Sequence, residues 1–496
     1  MSTRSVDYAL AVVSGVLLAL SFPKFGHPAY AWFALTPLLV ALSSGPAPRR
    51  AFGLGLTTGL VYFTGTLYWI TRVMVVYGGL PAWAAAPING ALIAYLALFP
   101  AIFSLVMARL VIRRGRAALM AAPLVWVATE LGRTVLFTGF PWVLLGYSQV
   151  EVLPIAQLAS IFGVYGVSAL VVGVSAAAAR VVVGERRFAP AIAMAILVIV
   201  VATWGGMRVA ANDLTRAGAA VRVGIVQGNV DQAQKWNLGR AQSIFQDYLR
   251  MTRQAIDGGA ALVLWPESSA PFHFEEDPIG AEQVRALARQ SRVPILVGSD
   301  QAERGAETKL YNSAFLVGAN GATAGVYRKM HLVPFGEYVP LERLLFFAAP
   351  MTAEVGTFSA GETPNVLPVG DHKISVAICY EIVYPDLVRR FVVGGSELLT
   401  TITNDAWFGD TSAPYQHFTQ ASMRAIENGR YLVRSANTGI SGIVDPYGRI
   451  VARGPLFQPA VMIGDARFLG GITVYARTGD LFAYAATVLS LVLVLV

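Results

Sequence analysis

The chain has 496 residues, a formal net charge of +8 and a hydrophobic fraction of 55%, which is too apolar and too long for one ordinary soluble domain. Its single cysteine excludes an intrachain disulfide and a multi-cysteine metal site. Much of the basic excess lies in connections between apolar segments, where it serves membrane topology, so we predict no nucleic-acid partner.

The first two fifths of the chain are mostly apolar, and a further apolar run ends it. Segments of roughly 20 apolar residues cross a bilayer, which predicts about eight transmembrane helices. We assign helices one to seven to 1–212, a mixed and charged domain to 213–476, and helix eight to 477–496. The predicted spans lie near Tyr8–Phe22, Tyr30–Leu42, Phe52–Val75, Ala82–Leu110, Ala117–Phe137, Leu153–Val183, Phe188–Gly206 and Leu481–Val496.

Arginine placement predicts how these helices are oriented. Basic clusters fall at alternate connections, so the positive-inside rule puts the N-terminus in the cytoplasm and the large domain on the opposite face. In a bacterium that face is the periplasm or the cell exterior, and we predict the periplasmic side of the inner membrane. The first span lacks a small-residue cleavage site, which indicates an uncleaved anchor. The clusters are Arg4, then Arg49 and Arg50, then Arg109, Arg113, Arg114 and Arg116, then Arg180, Arg186 and Arg187.

The domain between spans seven and eight alternates strand-like and helix-like runs. Several strand-like runs are apolar on both faces, which is typical of a sheet covered on each side. The pattern predicts an α/β layered domain, and Asn320-Gly321 predicts a hairpin. Predicted strands are Val221–Val226, Ala261–Leu264, Pro294–Val297, Ser313–Val317, Lys373–Ile378, Leu398–Ile402 and Tyr431–Arg434; predicted helices are Arg240–Ile256, Ala281–Arg289, Pro385–Phe391 and Tyr415–Asn428.

Polar residues follow three of these strands directly. Glu267, Cys379 and the pair Asn404-Asp405 each come just after a buried run. Residues at strand ends project from a rigid sheet into a shared crevice. We therefore expect these side chains to form one site.

The residue types indicate acyl transfer through a thioester. A free thiol is only slightly ionised near neutral pH and needs a base or a nearby positive charge. Glu267 could accept the proton from Cys379, and Lys329 could stabilise both the thiolate and the oxyanion of a tetrahedral intermediate. The backbone N–H of Tyr380 could supply a second donor to that oxyanion.

Taken singly, each residue also has a structural interpretation. A lone cysteine is more often a small buried apolar residue, and Glu337 could be the ion-pair partner of Lys329. His331 fits a structural role, and the histidines lack metal-ligand spacing, so we expect no metal. The sequence leaves two other functions open. One is a membrane-anchored amidase with the same triad; the other is a transporter, for which Glu130 and Arg133 would line a pathway.

Three motifs together are more specific than any one of them. They are Trp265-Pro266-Glu267, the run Tyr-Arg-Lys-Met-His-Leu-Val-Pro-Phe-Gly-Glu-Tyr-Val-Pro at 327–340, and Ile378-Cys379-Tyr380-Glu381. These resemble the Glu-Lys-Cys triad of the nitrilase superfamily. With spans on both sides of the domain, the chain resembles bacterial apolipoprotein N-acyltransferases over essentially its whole length.

The resemblance implies a multi-span α-helical membrane domain carrying an extracytoplasmic, nitrilase-like α-β-β-α sandwich, without a cofactor. It implies that Cys379 takes an acyl chain from a phospholipid, usually phosphatidylethanolamine. The acceptor would be the α-amine of a diacylglyceryl-cysteine at the N-terminus of a lipoprotein. Nothing in the sequence demands more than a monomer. The implied roles are Glu267 as base, Lys329 as oxyanion stabiliser, Glu337 as supporting carboxylate, Tyr380 and Glu381 as pocket residues, Asn404 as a supporting residue, and Trp236 and Trp407 on substrate-facing loops.

Overall fold

The computed structural model describes residues 3–184, 188–232, 238–305, 307–338 and 357–496. Its first part is helical. Long runs of apolar residues without charges favour helices whose backbone groups bond internally. The helices are α1 (Thr3–Ala19), α2 (Thr36–Leu42), α3 (Pro48–Leu67), α4 (Trp69–Val76), α5 (Ala82–Arg114), α6 (Ala122–Val135), α7 (Leu153–Ala156), α8 (Ala159–Val182) and α9 (Ala189–Ala211).

Four helices in the described part of the chain are long and apolar enough to cross a membrane. The number rises to five if α3 and α4, which bend by 50° at their junction, count as one span. Pro28–Leu42 and Leu481–Leu495 are shorter apolar helices. The predicted count of about eight spans therefore stays a prediction.

Two predicted spans are not the continuous helices that the sequence suggested. The third is bent where α3 meets α4. The sixth is divided between α7 and α8, and α8 itself is interrupted at Gly163, whose φ is 64°. Positive φ is readily adopted by glycine, because it has no Cβ. A hydropathy pattern reports only the apolar length, so it could not reveal these breaks.

The second half of the protein is built on two six-stranded sheets. The first has the order β12-β1-β2-β3-β4-β5 and the second the order β11-β10-β9-β8-β7-β6. In each sheet two neighbouring pairs of strands are parallel, β1–β2 and β2–β3 in the first, β7–β8 and β8–β9 in the second. The strands are β1 (Ala219–Gln227), β2 (Leu262–Leu264), β3 (Ile295–Glu303), β4 (Lys309–Val317), β5 (Thr323–Arg328), β6 (Val366–Val369), β7 (His372–Ile378), β8 (Leu398–Thr403), β9 (Leu432–Ala436), β10 (Gly442–Val444), β11 (Ile450–Arg453) and β12 (Ala460–Phe468).

Helices cover the outer faces of both sheets, which gives the predicted α-β-β-α layering. Helices α10 (Leu238–Asp257) and α11 (Pro278–Ser291) pack on the first sheet, and α12 (Pro385–Val393) and α13 (Ala413–Asn428) pack on the second. All seven predicted strands, the four predicted helices and the Asn320-Gly321 hairpin are confirmed. Two further helices follow the sheets, α14 (Val474–Thr478) and α15 (Leu481–Leu495).

A buried ion pair within α13 makes hydrogen bonds to the helical part of the protein. Arg424 Nε lies 3.1 Å from Glu427 Oε2, and neither side chain is exposed. Glu427 Oε1 also accepts a 2.9 Å hydrogen bond from the N–H of Val164, which the break at Gly163 leaves without its helical acceptor. Arg424 Nη2 donates to the hydroxyl of Tyr147 at 2.9 Å. This carboxylate therefore caps the interrupted α8 and neutralises a buried guanidinium at the same time.

We predict that Glu427→Ala lowers the free energy of unfolding by about 3–5 kcal/mol, because it leaves a buried charge and an N–H group without their partner. Thermal unfolding in detergent micelles measures the effect. The control is Glu282→Ala, which removes a solvent-exposed ion pair with Arg289 and should cost less than about 1 kcal/mol. Equal shifts in the two variants would contradict the assigned role of Glu427.

Candidate active site

The two sheets bring the three predicted strand ends together. Glu267 follows β2, Cys379 follows β7 and Asn404 follows β8. The backbone N–H of Asn404 donates to Glu267 Oε2 at 2.8 Å, so the ends of β2 and β8 meet across the two sheets. The structure therefore brings Glu267 and Asn404 together, and the prediction that the three strand ends form one site stays a prediction.

A buried ammonium group lies at the centre of this site. Lys329 Nζ is 2.8 Å from Glu337 Oε1 and 3.5 Å from Glu267 Oε1, and the lysine side chain is 1% exposed. Burial by itself lowers the pKa of Lys329, but the two carboxylates outweigh burial and raise the pKa above its ordinary value. The amine is therefore a fixed positive charge.

Asn312 of β4 fixes the two carboxylates relative to each other. Its Nδ2 donates to Glu267 Oε1 at 2.8 Å and to Glu337 Oε1 at 3.0 Å. The second oxygen of Glu337 accepts from the N–H of Val333 at 2.7 Å. Sequence reasoning missed Asn312. The available signal was a polar residue inside the apolar strand Lys309–Val317, at a position that is 4% exposed.

Cys379 lies at a sharp turn between β7 and the short 3₁₀ helix Cys379–Val383. Its φ is 52°, an uncommon value for a residue with a side chain,, and the residue is 8% exposed. Burial and the charge of Glu267 raise the pKa of the thiol, while Lys329 acts in the opposite direction. The resting sulfur is therefore a neutral thiol within electrostatic reach of both a carboxylate and an ammonium group.

Glu381 ties this turn to the segment that carries Lys329. Its Oε1 accepts from the Tyr327 hydroxyl at 2.8 Å and from the N–H groups of Met330 and His331 at 2.7 and 3.1 Å. Its Oε2 accepts from the N–H of Ile378 at 2.7 Å. The carboxylate is fully enclosed, so these contacts hold the thiol turn and the lysine segment in a fixed relation. A role of Glu381 in shaping the substrate pocket stays a prediction.

The remaining predicted residues are distributed around this centre. Asn404 Nδ2 donates to Gln232 at 2.6 Å, and Asn404 Oδ1 accepts from Asn437 at 3.0 Å. Trp407 is partly buried and packs against Tyr77, which follows α4, at a ring-centroid distance of 5.2 Å. Trp236 lies outside the described residues.

The helical part of the protein contributes an aromatic wall to the site, which the sequence did not predict. The ring of Trp142 stacks on Tyr380 at a centroid distance of 6.3 Å and Phe140 approaches the same ring at 6.4 Å. Arg133 of α6 donates to the carbonyls of Phe140, Trp142 and Val143 at 3.1, 2.6 and 3.0 Å. The arginine that a transporter would place along a pathway instead holds this loop.

No group of three or more His, Cys, Asp or Glu side chains suited to a metal ion occurs within the described residues. A cavity of about 10 Å³ adjoins Glu267, which is the size of one water molecule. A buried thiol, a carboxylate and an ammonium group in this arrangement are suited to nucleophilic attack on an acyl carbonyl.

Comparisons with known proteins identify the family. Residues 14–177 match the model of the apolipoprotein N-acyltransferase N-terminal domain, and residues 222–468 match the model of carbon-nitrogen hydrolase. An apolipoprotein N-acyltransferase of Geobacter metallireducens is 43% identical over 488 residues, covering 97% of this chain and 93% of the relative. This chain belongs to the apolipoprotein N-acyltransferase family.

A second relative agrees with the family assignment. A member from Methylococcus capsulatus is 36% identical over 488 residues, covering 95% of this chain and 92% of the relative. Among solved structures, a mutant of the Nesterenkonia AN1 amidase from the nitrilase superfamily is 20% identical, covers 54% of this chain and 97% of its own, and has a TM-score of 0.41. The resemblance drawn from the three motifs is confirmed.

The pH dependence of stability tests the assigned role of Glu381. Burial raises the pKa of its carboxyl group to about 7, although the charge of Lys329 and hydrogen bonds from Ile378, Met330 and Tyr327 oppose this. The folded protein therefore binds this proton more tightly than the unfolded chain does, and stability contributed by Glu381 decreases as the pH rises from about 4.5 to 7.

We expect the thermal unfolding midpoint of the wild type minus that of Glu381→Gln to become larger as the pH is lowered from 8 to 5. The wild type gains stability by taking up a proton at Glu381, which glutamine cannot do. Thermal unfolding across this range gives the difference. Glu282→Gln, at an exposed site, serves as the control and should show a nearly constant offset. A constant offset for Glu381→Gln as well would refute the burial of a titrating carboxyl group.

Proposed function

We propose that the chain transfers an acyl chain from a phospholipid, through a Cys379 thioester, to the α-amine of the N-terminal diacylglyceryl-cysteine of lipoproteins. The observation that carries this proposal is the buried Lys329 between two carboxylates, within electrostatic reach of the Cys379 thiol. That arrangement serves acyl transfer, and the full-length relatives named apolipoprotein N-acyltransferase favour a lipoprotein acceptor over the small amide of an amidase.

In the first half-reaction Glu267 accepts the thiol proton while Cys379 Sγ attacks the ester carbonyl of the phospholipid. Lys329 and the N–H of Tyr380 stabilise the oxyanion of the tetrahedral intermediate. As the intermediate collapses, the ester C–O bond breaks and Glu267 returns its proton to the departing oxygen. The products are a lysophospholipid and an acyl-thioester.

In the second half-reaction the α-amine of the lipoprotein attacks the thioester carbonyl. Glu267 accepts a proton from the amine, the C–S bond breaks, and the proton passes to Cys379. The amide product carries the acyl chain, and the thiol is restored. Glu337 remains ionised throughout and holds the ammonium of Lys329 in position.

We further propose that about eight helices span the bacterial inner membrane and that the layered domain faces the periplasm. The apolar helices of the described chain and the alternating arginine clusters support this orientation. The corresponding units are 1–212, 213–476 and 477–496. A phosphatidylethanolamine donor and a monomeric enzyme complete the proposal, with Trp236, Trp407 and Asn404 near the substrates.

Mass spectrometry of the purified protein tests both half-reactions. After incubation with phospholipid we expect a mass increase of one fatty acyl unit on Cys379, which disappears on addition of a diacylated lipopeptide. Cys379→Ala should acquire no acyl unit, because it lacks the nucleophile. Turnover of a soluble amide, without an acyl adduct from phospholipid, would instead support the amidase.

We expect Lys329→Met to slow acylation of Cys379 by about 10²–10³-fold, because the oxyanion loses a charged donor in a water-poor site. The rate of acyl-adduct formation measures this loss. Lys309→Met provides the control at an exposed position of β4 and should acylate at the wild-type rate. An unchanged rate in Lys329→Met would remove Lys329 from the proposed mechanism.

A further inference from the structure

A second buried polar cluster lies against the backbone of the nucleophile. His417 of α13, Asp405 after β8 and Arg434 of β9 have fully buried side chains. His417 Nε2 is 3.1 Å from the carbonyl oxygen of Cys379. Arg434 Nη2 lies 2.7 Å from Asp405 Oδ2 and 3.1 Å from His417 Nδ1. The proposed mechanism does not use these three residues.

The Cys379 carbonyl determines the role of one ring nitrogen of His417. A carbonyl oxygen can only accept, so Nε2–H donates to it,. Burial and the charge of Arg434 lower the pKa of His417, while Asp405 acts in the opposite direction. On the other side of the ring, Nδ1 lies 3.1 Å from Arg434 Nη2. Asp405 Oδ1, which lies 3.0 Å from Nδ1, accepts a hydrogen bond from the Thr403 hydroxyl at 2.9 Å.

Aromatic rings hold the imidazole in place. Trp142 lies 5.5 Å from it and Phe408 lies 5.9 Å from it, measured between ring centroids. The ring is fully buried. Because the imidazole is fixed, its Nε2–H also fixes the direction in which the Cys379 carbonyl points.

The bonded carbonyl belongs to the same peptide group as the N–H of Tyr380. That peptide is not among the cis bonds of the described chain, and in a trans peptide the C=O and N–H bonds point in opposite directions. Orienting the Cys379 carbonyl toward His417 therefore turns the Tyr380 N–H away from α13. This N–H lies in the first turn of the 3₁₀ helix Cys379–Val383, where it has no acceptor within the helix.

We propose that His417 is a positioning residue for the oxyanion site: by binding the Cys379 carbonyl, it orients the Tyr380 N–H toward the developing negative charge. Asp405 and Arg434 support it by contacting Nδ1 on the other side of the imidazole ring. The inference deepens the proposed acyl transfer and rests on it for the role of the Tyr380 N–H. His417 itself contacts no reacting atom, so it acts through the backbone.

Two amide substitutions separate the two ends of the imidazole. In His417→Gln the side-chain N–H reaches the position of Nε2 and can still bind the Cys379 carbonyl. In His417→Asn the amide reaches only the position of Nδ1, near Asp405 and Arg434. We expect Cys379 of His417→Asn to be acylated by phospholipid at least about tenfold more slowly than in the wild type. This loss of rate should remain smaller than the loss caused by removing one oxyanion donor completely. His417→Gln should recover most of the rate.

The rate of Cys379 alkylation by iodoacetamide is the second measurement. If His417 had only a general structural role, its substitution would slow alkylation and acylation together. Displacement of iodide creates no oxyanion, so we expect both variants to be alkylated at nearly the wild-type rate. Acylation rates are normalised to the number of thiols that iodoacetamide titrates, which corrects for partly misfolded protein. Parallel loss of alkylation and acylation, or a faster His417→Asn than His417→Gln, would overturn the proposal.

The experiment also distinguishes this inference from the proposed function. If wild-type protein forms no adduct with phospholipid, the acyltransferase proposal fails. The same variants are then compared with a p-nitrophenyl ester, whose attack by Cys379 also forms an oxyanion. If neither amide variant folds, His417→Phe replaces them, because it retains a ring between Trp142 and Phe408 while removing the donor. Equal acylation of wild type and variant per titrated thiol overturns the inference in either assay.

Discussion

The site depends on one buried ammonium group held between two carboxylates. A charge removed from water is stable only when it is paired and hydrogen-bonded, and Lys329 meets this condition through Glu267 and Glu337. In the proposed mechanism a proton moves from Cys379 to Glu267, so one carboxylate becomes neutral as the thiolate forms. The net charge around Lys329 therefore stays constant, and Glu337 remains as its permanent counter-ion.

Glu267, Lys329 and Cys379 each follow a β-strand. Hydrogen bonds from backbone N–H groups then hold the segments that carry them relative to one another. Glu267 accepts a hydrogen bond from the N–H of Asn404, and Glu337 accepts one from the N–H of Val333. Glu381 binds the backbone on both sides of the site. These bonds offset the uncommon backbone conformation at Cys379, since such conformations persist only when their surroundings determine them.

Sequence patterns predicted those features of the fold and site that depend on residues close together in the chain. The apolar runs before Glu267, Cys379 and Asn404 predicted the strands. Parallel pairing of β7 and β8 places the ends before Cys379 and Asn404 at one edge of the second sheet,, whereas Glu267 reaches them from the first sheet. The patterns did not predict Asn312, His417 or the break in α8, because each is defined by partners distant in the chain. The Cys379 carbonyl lies 38 positions from His417, and Val164 lies 263 positions from Glu427. Pairings over such separations depend on tertiary packing, which a local pattern does not encode.

The helical part also contacts the candidate active site directly. Trp142 contacts the rings of both Tyr380 and His417, so it lies against the nucleophile turn and against the group that orients its carbonyl. Its indole N–H donates to Gln416, the residue before His417, at 2.7 Å. A layered domain separated from α6 and its loop would retain the Glu-Lys-Cys trio but lose this support. Water would then reach the thioester more easily, so hydrolysis would compete with transfer to an amine. The aromatic wall therefore links the helical part of the protein to the balance between hydrolysis and acyl transfer.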